Sequence, residues 1–255
     1  MVPYLGPDDP LPPPETARRR PNGLLAAGGG LSVARLVDAY GRGAFPWFSD
    51  GEPVLWWSPD PRMVLPTDAL HVSKSLARRL RRADYEVTLD RAFGEVMRAC
   101  AEPRADGPGT WITAEMLAAY EALHRAGYAH SLEVWVGGTL AGGIYGVGLG
   151  RAFFGESMFS RATDGSKIAI AWLAAQLARW QVPFIDCQVP SDHLASLGGR
   201  EVPRSAFLRR LPPLVGADGA VLPWQLDRDL TGAVVAGAFG GARPDGQVGP
   251  PPQTR

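Results

Sequence analysis

Little in this 255-residue chain lends itself to metal, disulfide or membrane chemistry. It has two cysteines, Cys100 and Cys187, at no metal-ligand spacing and too few for a disulfide framework. A reducing compartment is favoured and no metal site is expected. No apolar run is long enough to span a bilayer. The first ten residues lack the basic-then-apolar order of a signal peptide, so the expected location is the cytoplasm. Neither sign of charge is in excess, since 26 Lys and Arg balance 26 Asp and Glu. Any nucleic-acid contact must therefore come from a local patch. The triple glycine Gly28-Gly29-Gly30 is not followed by the Lys and Ser/Thr of a phosphate loop. No internal repeat is visible. What the chain does have is apolar residues, 45% of the total, enough for one large packed domain or two smaller ones.

The stretch that sets the chemistry is Gly150 to Ser160, apolar and aromatic as a buried strand would be, yet carrying Glu156. Strict alternation puts Phe154, Glu156 and Met158 on one face and Phe153, Gly155 and Ser157 on the other. A carboxylate between Phe and Met needs a partner or a task, because an unpaired buried charge is costly. A second such strand runs from Pro183 to Val189, with Phe184, Asp186 and Gln188 on one face. Between them, Ser166 to Trp180 has helical spacing, with Ile170, Leu173 and Leu177 in one stripe. Strand, helix and strand imply a βαβ unit with parallel, buried strands. Two acids and an amide then converge at one place. They are either a catalytic group or structural carboxylates bonding local amides, and the pattern leaves both open.

Elsewhere the chain reads in blocks. Residues 1–20 are proline-rich and form an extended arm. Asn22-Gly23 marks a turn. Ser32 caps a short helix to Tyr40, which Gly41 closes. Three tryptophans and two phenylalanines fall between Phe45 and Trp57, either as core or as a cleft that stacks a planar ligand. Met63 to Ala69 is a strand. Lys74, Arg78, Arg79, Arg81 and Arg82 then place five cations in nine residues of a helix, either a solvated face or a phosphate-contacting patch. A strand to Leu89, a helix to Cys100 and a Thr113-capped helix to Arg125 follow. Gly137-Gly138 joins two hairpin strands, and Gly142-Gly143 signals a bulge or a close backbone approach. His193, in a short helix ending at Gly198, reads as structural. From Gly216 the chain turns to Gly, Pro and Ala, and its last fifteen residues are expected to be disordered. The pattern alone gives an α/β or α+β protein with a mixed sheet, an acid-bearing apolar cleft and one basic patch. That suits an acyl or group transferase of unnamed substrate.

Several runs carry a resemblance. They are Pro21-Asn22-Gly23-Leu-Leu, Gly43-Ala-Phe45-Pro46-Trp47-Phe48, Leu55-Trp-Trp-Ser-Pro-Asp-Pro-Arg62, Gly109-Thr-Trp111-Ile-Thr113, His130-Ser-Leu-Glu-Val-Trp135, Gly155-Glu-Ser-Met-Phe-Ser-Arg161, Ser166-Lys167, Ile185-Asp-Cys-Gln-Val189 and His193-Leu-Ala-Ser-Leu-Gly198. Over residues 21 to 210 the sequence resembles the leucyl/phenylalanyl-tRNA–protein transferase family. The resemblance implies an α+β protein: a small N-terminal α/β domain, 21–63, and a larger domain, 64–215, resembling the acyl-CoA N-acyltransferase (GNAT-like) fold with a mixed sheet. The arm 1–20 precedes them, and a largely disordered tail, 216–255, follows.

It also implies the reaction. Leu or Phe, and less well Met, passes from aminoacyl-tRNA to the α-amine of proteins beginning with Arg or Lys, in the N-end rule degradation pathway. The ester is already activated, so no cofactor or metal is implied. By resemblance Asp186 orients Gln188, the pair handles the amine proton, and Glu156 holds the cationic acceptor or tunes the pair. The aminoacyl pocket is implied at Ile144, Phe153, Met158 and Ile185 on strands and at Ile170, Leu173 and Leu177 on the helix. Trp47 and Trp111 match the positions that stack on the terminal adenosine. Arg78, Arg79, Arg81 and Arg82 match a phosphate-contacting patch for the acceptor stem. The chain departs from the family at Gly28-Gly29-Gly30, usually Gly-Gly-Asp, and at Leu173 and Leu177, usually aromatic. Two other readings stand beside it. A CoA-dependent N-acetyltransferase would need a pyrophosphate loop that Arg161 to Ser166 match poorly. A non-catalytic tRNA-binding module would use only the arginines and tryptophans.

Overall fold

Helix starts follow the small hydroxyl residues. Ser32, Ser73, Thr113 and Ser191 each accept a bond from the backbone N–H three residues on, those of Arg35, Leu76, Met116 and Leu194. The computed structural model describes residues 2–82, 84–103, 111–216 and 224–236. In chain order it has β1 (Tyr4–Leu5), β2 (Leu24–Gly28), α1 (Val33–Gly41), β3 (Phe45–Pro46), β4 (Leu55–Trp57), β5 (Arg62–Pro66), α2 (Lys74–Arg81), β6 (Glu86–Leu89), α3 (Phe93–Ala101) and α4 (Ala114–Arg125). There follow β7 (Ala129–Val136), β8 (Thr139–Leu149), β9 (Ala152–Ser160), α5 (Gly165–Arg179), β10 (Phe184–Gln188), α6 (Asp192–Ser196), β11 (Arg200–Val202), α7 (Arg204–Arg210), α8 (Pro212–Val215) and α9 (Thr231–Ala236).

Two sheets result. A four-stranded one has the order β1-β2-β4-β3. A seven-stranded mixed one has the order β11-β5-β10-β9-β8-β7-β6. The expected βαβ unit is present: β9 and β10 are parallel neighbours, joined through α5. The expected hairpin is also present as β7 and β8. Side chains on the two faces of the large sheet form two clusters. One joins Tyr40, Tyr120, Tyr145 and Phe154 with α1, α3 and α4. The other joins Ile144, Phe153 and Ile185 with α5 and α2. Gly142 lets α5 lie against β8, since a Cβ there would come within 2.5 Å of the Gly165 backbone. The arrangement is α+β. No helix among the described residues is long and apolar enough to cross a membrane.

Both ends of the chain depart from expectation. The proline-rich arm is docked: Tyr4–Leu5 pair in parallel with Ala27 and Gly28, and Leu5, Leu11 and Ala17 are buried. These three apolar residues anchor a segment whose prolines suggest only extension. The tail, expected to be largely disordered from 216, has defined structure at 224–236, where Leu230 and Val234 are buried and α9 packs on α2 and α5. The last fifteen residues lie outside the described ones.

Candidate active site

The site forms where β9 and β10 part. They pair at Phe153↔Ile185 and Phe154↔Asp186. Each strand then has an irregularity. Opposite β8 the register slips between Gly155 and Ser157, leaving Glu156 as the extra residue of a bulge. On β10 it slips between Asp186 and Gln188, and Gln188 takes φ 58°. Strict alternation therefore fails in β9. Glu156 keeps the face of Phe154, but Met158, expected beside them, packs with Ile144 on the other face. The bulge inserts one residue and so reverses the faces beyond it.

This reversal explains how residues of both parities meet. Ile144, Met158, Ile170 and Ile185 line one cavity of about 220 Å³, with Glu156 and Gln188 also on its wall. Phe153, Leu173 and Leu177 do not line it. They are buried in the packed layer around it. Cys187 also borders the cavity, and burial pushes its thiol well up, so it is no nucleophile.

The Glu156 carboxylate is held from three sides. Tyr40 of α1 donates its hydroxyl to Oε1 at 2.7 Å, and Tyr120 of α4 donates to Oε2 at 3.1 Å. Gln188 Nε2 donates to Oε1 at 3.2 Å. The carboxyl pKa is raised to about 7, chiefly by burial and in lesser part by nearby Asp186, with the two phenols pulling the other way. Burial and the carboxylate raise both phenols well above their usual range, which keeps them neutral donors. One edge of Glu156 still reaches a groove, so it is buried among protein atoms without being sealed.

Asp186 is placed differently. It is 1% exposed and bonded by both oxygens to Arg62, Nε to Oδ1 at 2.8 Å and Nη2 to Oδ2 at 2.6 Å. Arg62 is fully buried, donates also to the Gly43 carbonyl at 3.2 Å, and lies over the rings of Phe45 and Phe207. Asp186 in turn accepts from the Gln188 backbone N–H at 3.1 Å, which fixes the left-handed turn at Gln188. The Asp186 carboxylate is thus engaged internally, and it is the Gln188 main chain that it holds.

Two further hollows border Glu156. A slot of about 140 Å³ lies among Trp47, Trp111, Phe45, Val189, Glu156 and Gln188. Trp47 is 43% exposed there, its ring 5.8 Å from that of Trp57. A groove of about 760 Å³ runs past Trp111, Met158, Ser160, Arg161 and His193. Burial and Lys167 hold the His193 imidazole below its usual pKa. The arginine run lies on α2, with Arg78, Arg81 and Arg82 exposed and Arg79 paired with Asp84 over the Tyr85 ring. None of the four lines these hollows. Asp90, His124 and His130 come close enough to share a metal ion. Three of their four ring nitrogens are engaged, however: Nδ1 and Nε2 of His130 meet Asp90 and the Gly127 carbonyl, and Nδ1 of His124 meets the Ala129 carbonyl.

Sequence reasoning missed Tyr40, Tyr120 and Arg62 as site residues. Tyr40 falls in the apolar stripe of its helix, which is where its ring lies, but its hydroxyl bonds Glu156. Arg62 was legible as a cation opening a buried apolar strand, a place that demands an acid partner.

A family model described as "Leucyl/phenylalanyl-tRNA protein transferase" matches residues 64–212, and one for the N-terminal domain of that protein matches 29–60. The chain is 57% identical to the leucyl/phenylalanyl-tRNA–protein transferase of Nitrosomonas europaea over 227 residues, 89% of this chain and 96% of that one. It is 59% identical to the protein of the same name from Chromobacterium violaceum over 211 residues, 83% of this chain and 91% of that one. With the Paraburkholderia xenovorans protein of that name, identity is 52% over 246 residues, 93% of this chain and the whole of that one.

Proposed function

The chain belongs to the leucyl/phenylalanyl-tRNA protein transferase family, and from that premise we infer that Glu156 is the point at which its two substrates react. It is an aminoacyltransferase that takes leucyl or phenylalanyl groups from tRNA and gives them to proteins, in the N-end rule pathway. One observation supports the location. Glu156 borders all three hollows: the apolar cavity, the tryptophan slot and the large groove. A three-part reaction complex needs such a junction. The apolar cavity takes the Leu or Phe side chain, the slot stacks the terminal adenine between Trp47 and Trp111, and the groove admits the acceptor chain.

The chemistry then runs as an aminolysis. The acceptor α-ammonium first loses a proton to water. The neutral amine attacks the ester carbonyl, forming the C–N bond, and gives its second proton to Glu156. The C–O bond to the tRNA ribose breaks, and the ribose oxygen takes up that proton from Glu156, which returns to the carboxylate. A carboxylate whose pKa lies near 7 is suited to this, since it is partly ionised at neutral pH and basic enough to accept. Tyr40 and Tyr120 keep Glu156 oriented. Asp186 acts at one remove, fixing the turn that aims the Gln188 amide at Glu156. The exposed arginines of α2 hold the acceptor stem by phosphate contacts, with little sequence preference and strong salt dependence. Acceptors begin with Arg or Lys, and the protein works in the cytoplasm, where charged tRNA is found.

The test uses radiolabelled Phe-tRNA with a peptide beginning with Arg and another beginning with Glu. Label should pass to the first and not the second. Transfer to neither removes the reading.

A further inference from the structure

Residues 224–236 have no part in the transfer chemistry, yet they are fastened to the helix that carries the arginines. The anchor comes first. The Trp224 ring stacks on His130, with centroids 3.6 Å apart and planes 9° off parallel. It lies over Gly148, where a Cβ would come within 2.4 Å of the indole. Three residues on, Asp227 forms a two-bond pair with the buried Gln176 of α5. Its N–H donates to Oε1 at 2.8 Å, and Gln176 Nε2 donates to its Oδ2 at 3.0 Å. Arg179 Nη1 then donates to Asp227 at 3.2 Å and to Asp229 at 2.5 Å. So fixed, the chain turns into α9, which packs on α2 and α5.

Helix α2 needs that support. It has eight residues, of which only Leu76 and Leu80 are buried, and four are basic: Lys74, Arg78, Arg79 and Arg81. A helix so short is marginal by itself, and its clustered cations repel one another. Leu76 and Leu80 belong to the same packed cluster as Leu230, 2% exposed, and Val234, fully buried. Asp227 and Asp229 pair with Arg179 of α5, while Arg78 and Arg81 of α2 are exposed and Arg82, also exposed, lies 3.5 Å from Asp84.

We propose that residues 224–236 form a strap that positions the basic helix α2 for the tRNA acceptor stem. The inference rests on α2 touching tRNA phosphates, as set out under the proposed function. The strap acts on the affinity for whole tRNA and not on the step at Glu156. Its two parts are separable: Trp224 and Asp227 anchor it, and Leu230 and Val234 hold α2.

The experiment compares two donors with the same Arg-initiated peptide. One is Phe-tRNA. The other is 3′-O-phenylalanyl-adenosine, which lacks the acceptor stem and so has nothing for α2 to contact. The variants are Leu230→Ala with Val234→Ala, and a chain ended after Asp229; both keep the anchor. For Phe-tRNA, KM should rise roughly tenfold, and the slope of log KM against log salt should fall by about 1 for each phosphate that α2 no longer reaches. Its kcat should stay unchanged, as should both constants for the short donor. Equal losses with both donors would make the strap a general stabiliser and overturn the proposal. No change with either donor would overturn it too, as would an unchanged KM for Phe-tRNA when Arg78, Arg81 and Arg82 are together replaced by Ala. A wild-type protein inactive with both donors would instead refute the proposed function itself.

Discussion

Replacing Glu156 by Gln should make the protein more stable and less active, with the gain confined to one side of a pH window. The native carboxyl has a pKa of about 7, against 4.5 in a freely solvated chain. Below 4.5 both states carry the proton, and the group costs the fold nothing. Between 4.5 and 7 the unfolded chain ionises while the folded one keeps its proton, so stability falls as pH rises. Above 7 the whole cost is present. The difference of the two pKa values, 7 less 4.5, corresponds to roughly 3 kcal/mol. The groove-facing edge of the carboxyl is reached by water, which lowers the figure to about 2 kcal/mol. Gln matches the shape, can accept from one phenol and can donate to the other. The variant should therefore melt about 4–8 °C higher than wild type at pH 8 and at the same temperature at pH 4, measured by calorimetry. Its transfer rate should fall at least about 100-fold at pH 8. In the wild type, the ionised fraction of Glu156 rises from about 10% at pH 6 to about 90% at pH 8, so kcat/KM should rise roughly tenfold between them beyond the rise that deprotonation of the acceptor amine gives by itself. A variant no more stable at pH 8 than at pH 4, relative to wild type, would show that the carboxyl is not destabilised by burial. The role given to it would then fail.

Other sites give independent tests. Asp186→Ala strands Arg62 in the core and should cost about 3–5 kcal/mol in urea unfolding; transfer should fall far more than tRNA binding, because Gln188 loses its fixed turn. A loss of both in proportion would make Asp186 purely structural. Trp47→Ala removes a stacking face worth about 1–3 kcal/mol per base, so KM for Phe-tRNA should rise about tenfold, while losing the ring contact with Trp57 costs the fold about 1 kcal/mol. Gly142→Ala forces a methyl group against the α5 backbone and should cost about 1–3 kcal/mol, seen as a lower urea midpoint with an unchanged slope.

What could be read from the sequence was what neighbouring residues decide. The caps at Ser32 and Thr113, the two-glycine turn of the β7–β8 hairpin and the alternation of strand and helix around α5 are all local, and all are found. The conjunction of Glu156 with Gln188 followed from that unit. The bulge at Glu156 did not, because it depends on how β9 registers against β8, and nothing within β9 itself signals it. Tyr40 and Tyr120 are 80 residues apart, and Arg62 is 124 from Asp186, so no window of sequence contains either contact. The strap escaped for another reason. Glycine, proline and alanine dominate the tail and mask Leu226, Leu230 and Val234, apolar residues that lead into α9. The docking of the arm is masked in the same way, with Leu5 and Leu11 hidden among prolines.

Under the proposed function, the raised pKa of Glu156 links the small N-terminal block to catalysis. Its chief cause is burial, to which the fully buried Tyr40 and Tyr120 contribute their bulk even as their hydrogen bonds pull the pKa partly down. Tyr40 comes from α1, inside the block that precedes the large sheet, while Tyr120, Glu156 and Gln188 come from the large-sheet part of the chain. Arg62, at the first residue of β5, ties the two blocks, reaching back to Gly43 and forward to Asp186. Were α1 to undock, the carboxyl would be solvated and return toward an ordinary pKa. It would be fully ionised at neutral pH yet far weaker as a base, and proton acceptance from the amine would slow accordingly. The N-terminal block therefore contributes more than a wall of the tryptophan slot. By keeping water from one side of Glu156, it helps set the basicity on which the proposed transfer step depends, so aminoacyl transfer and the docking of the two blocks should be lost together.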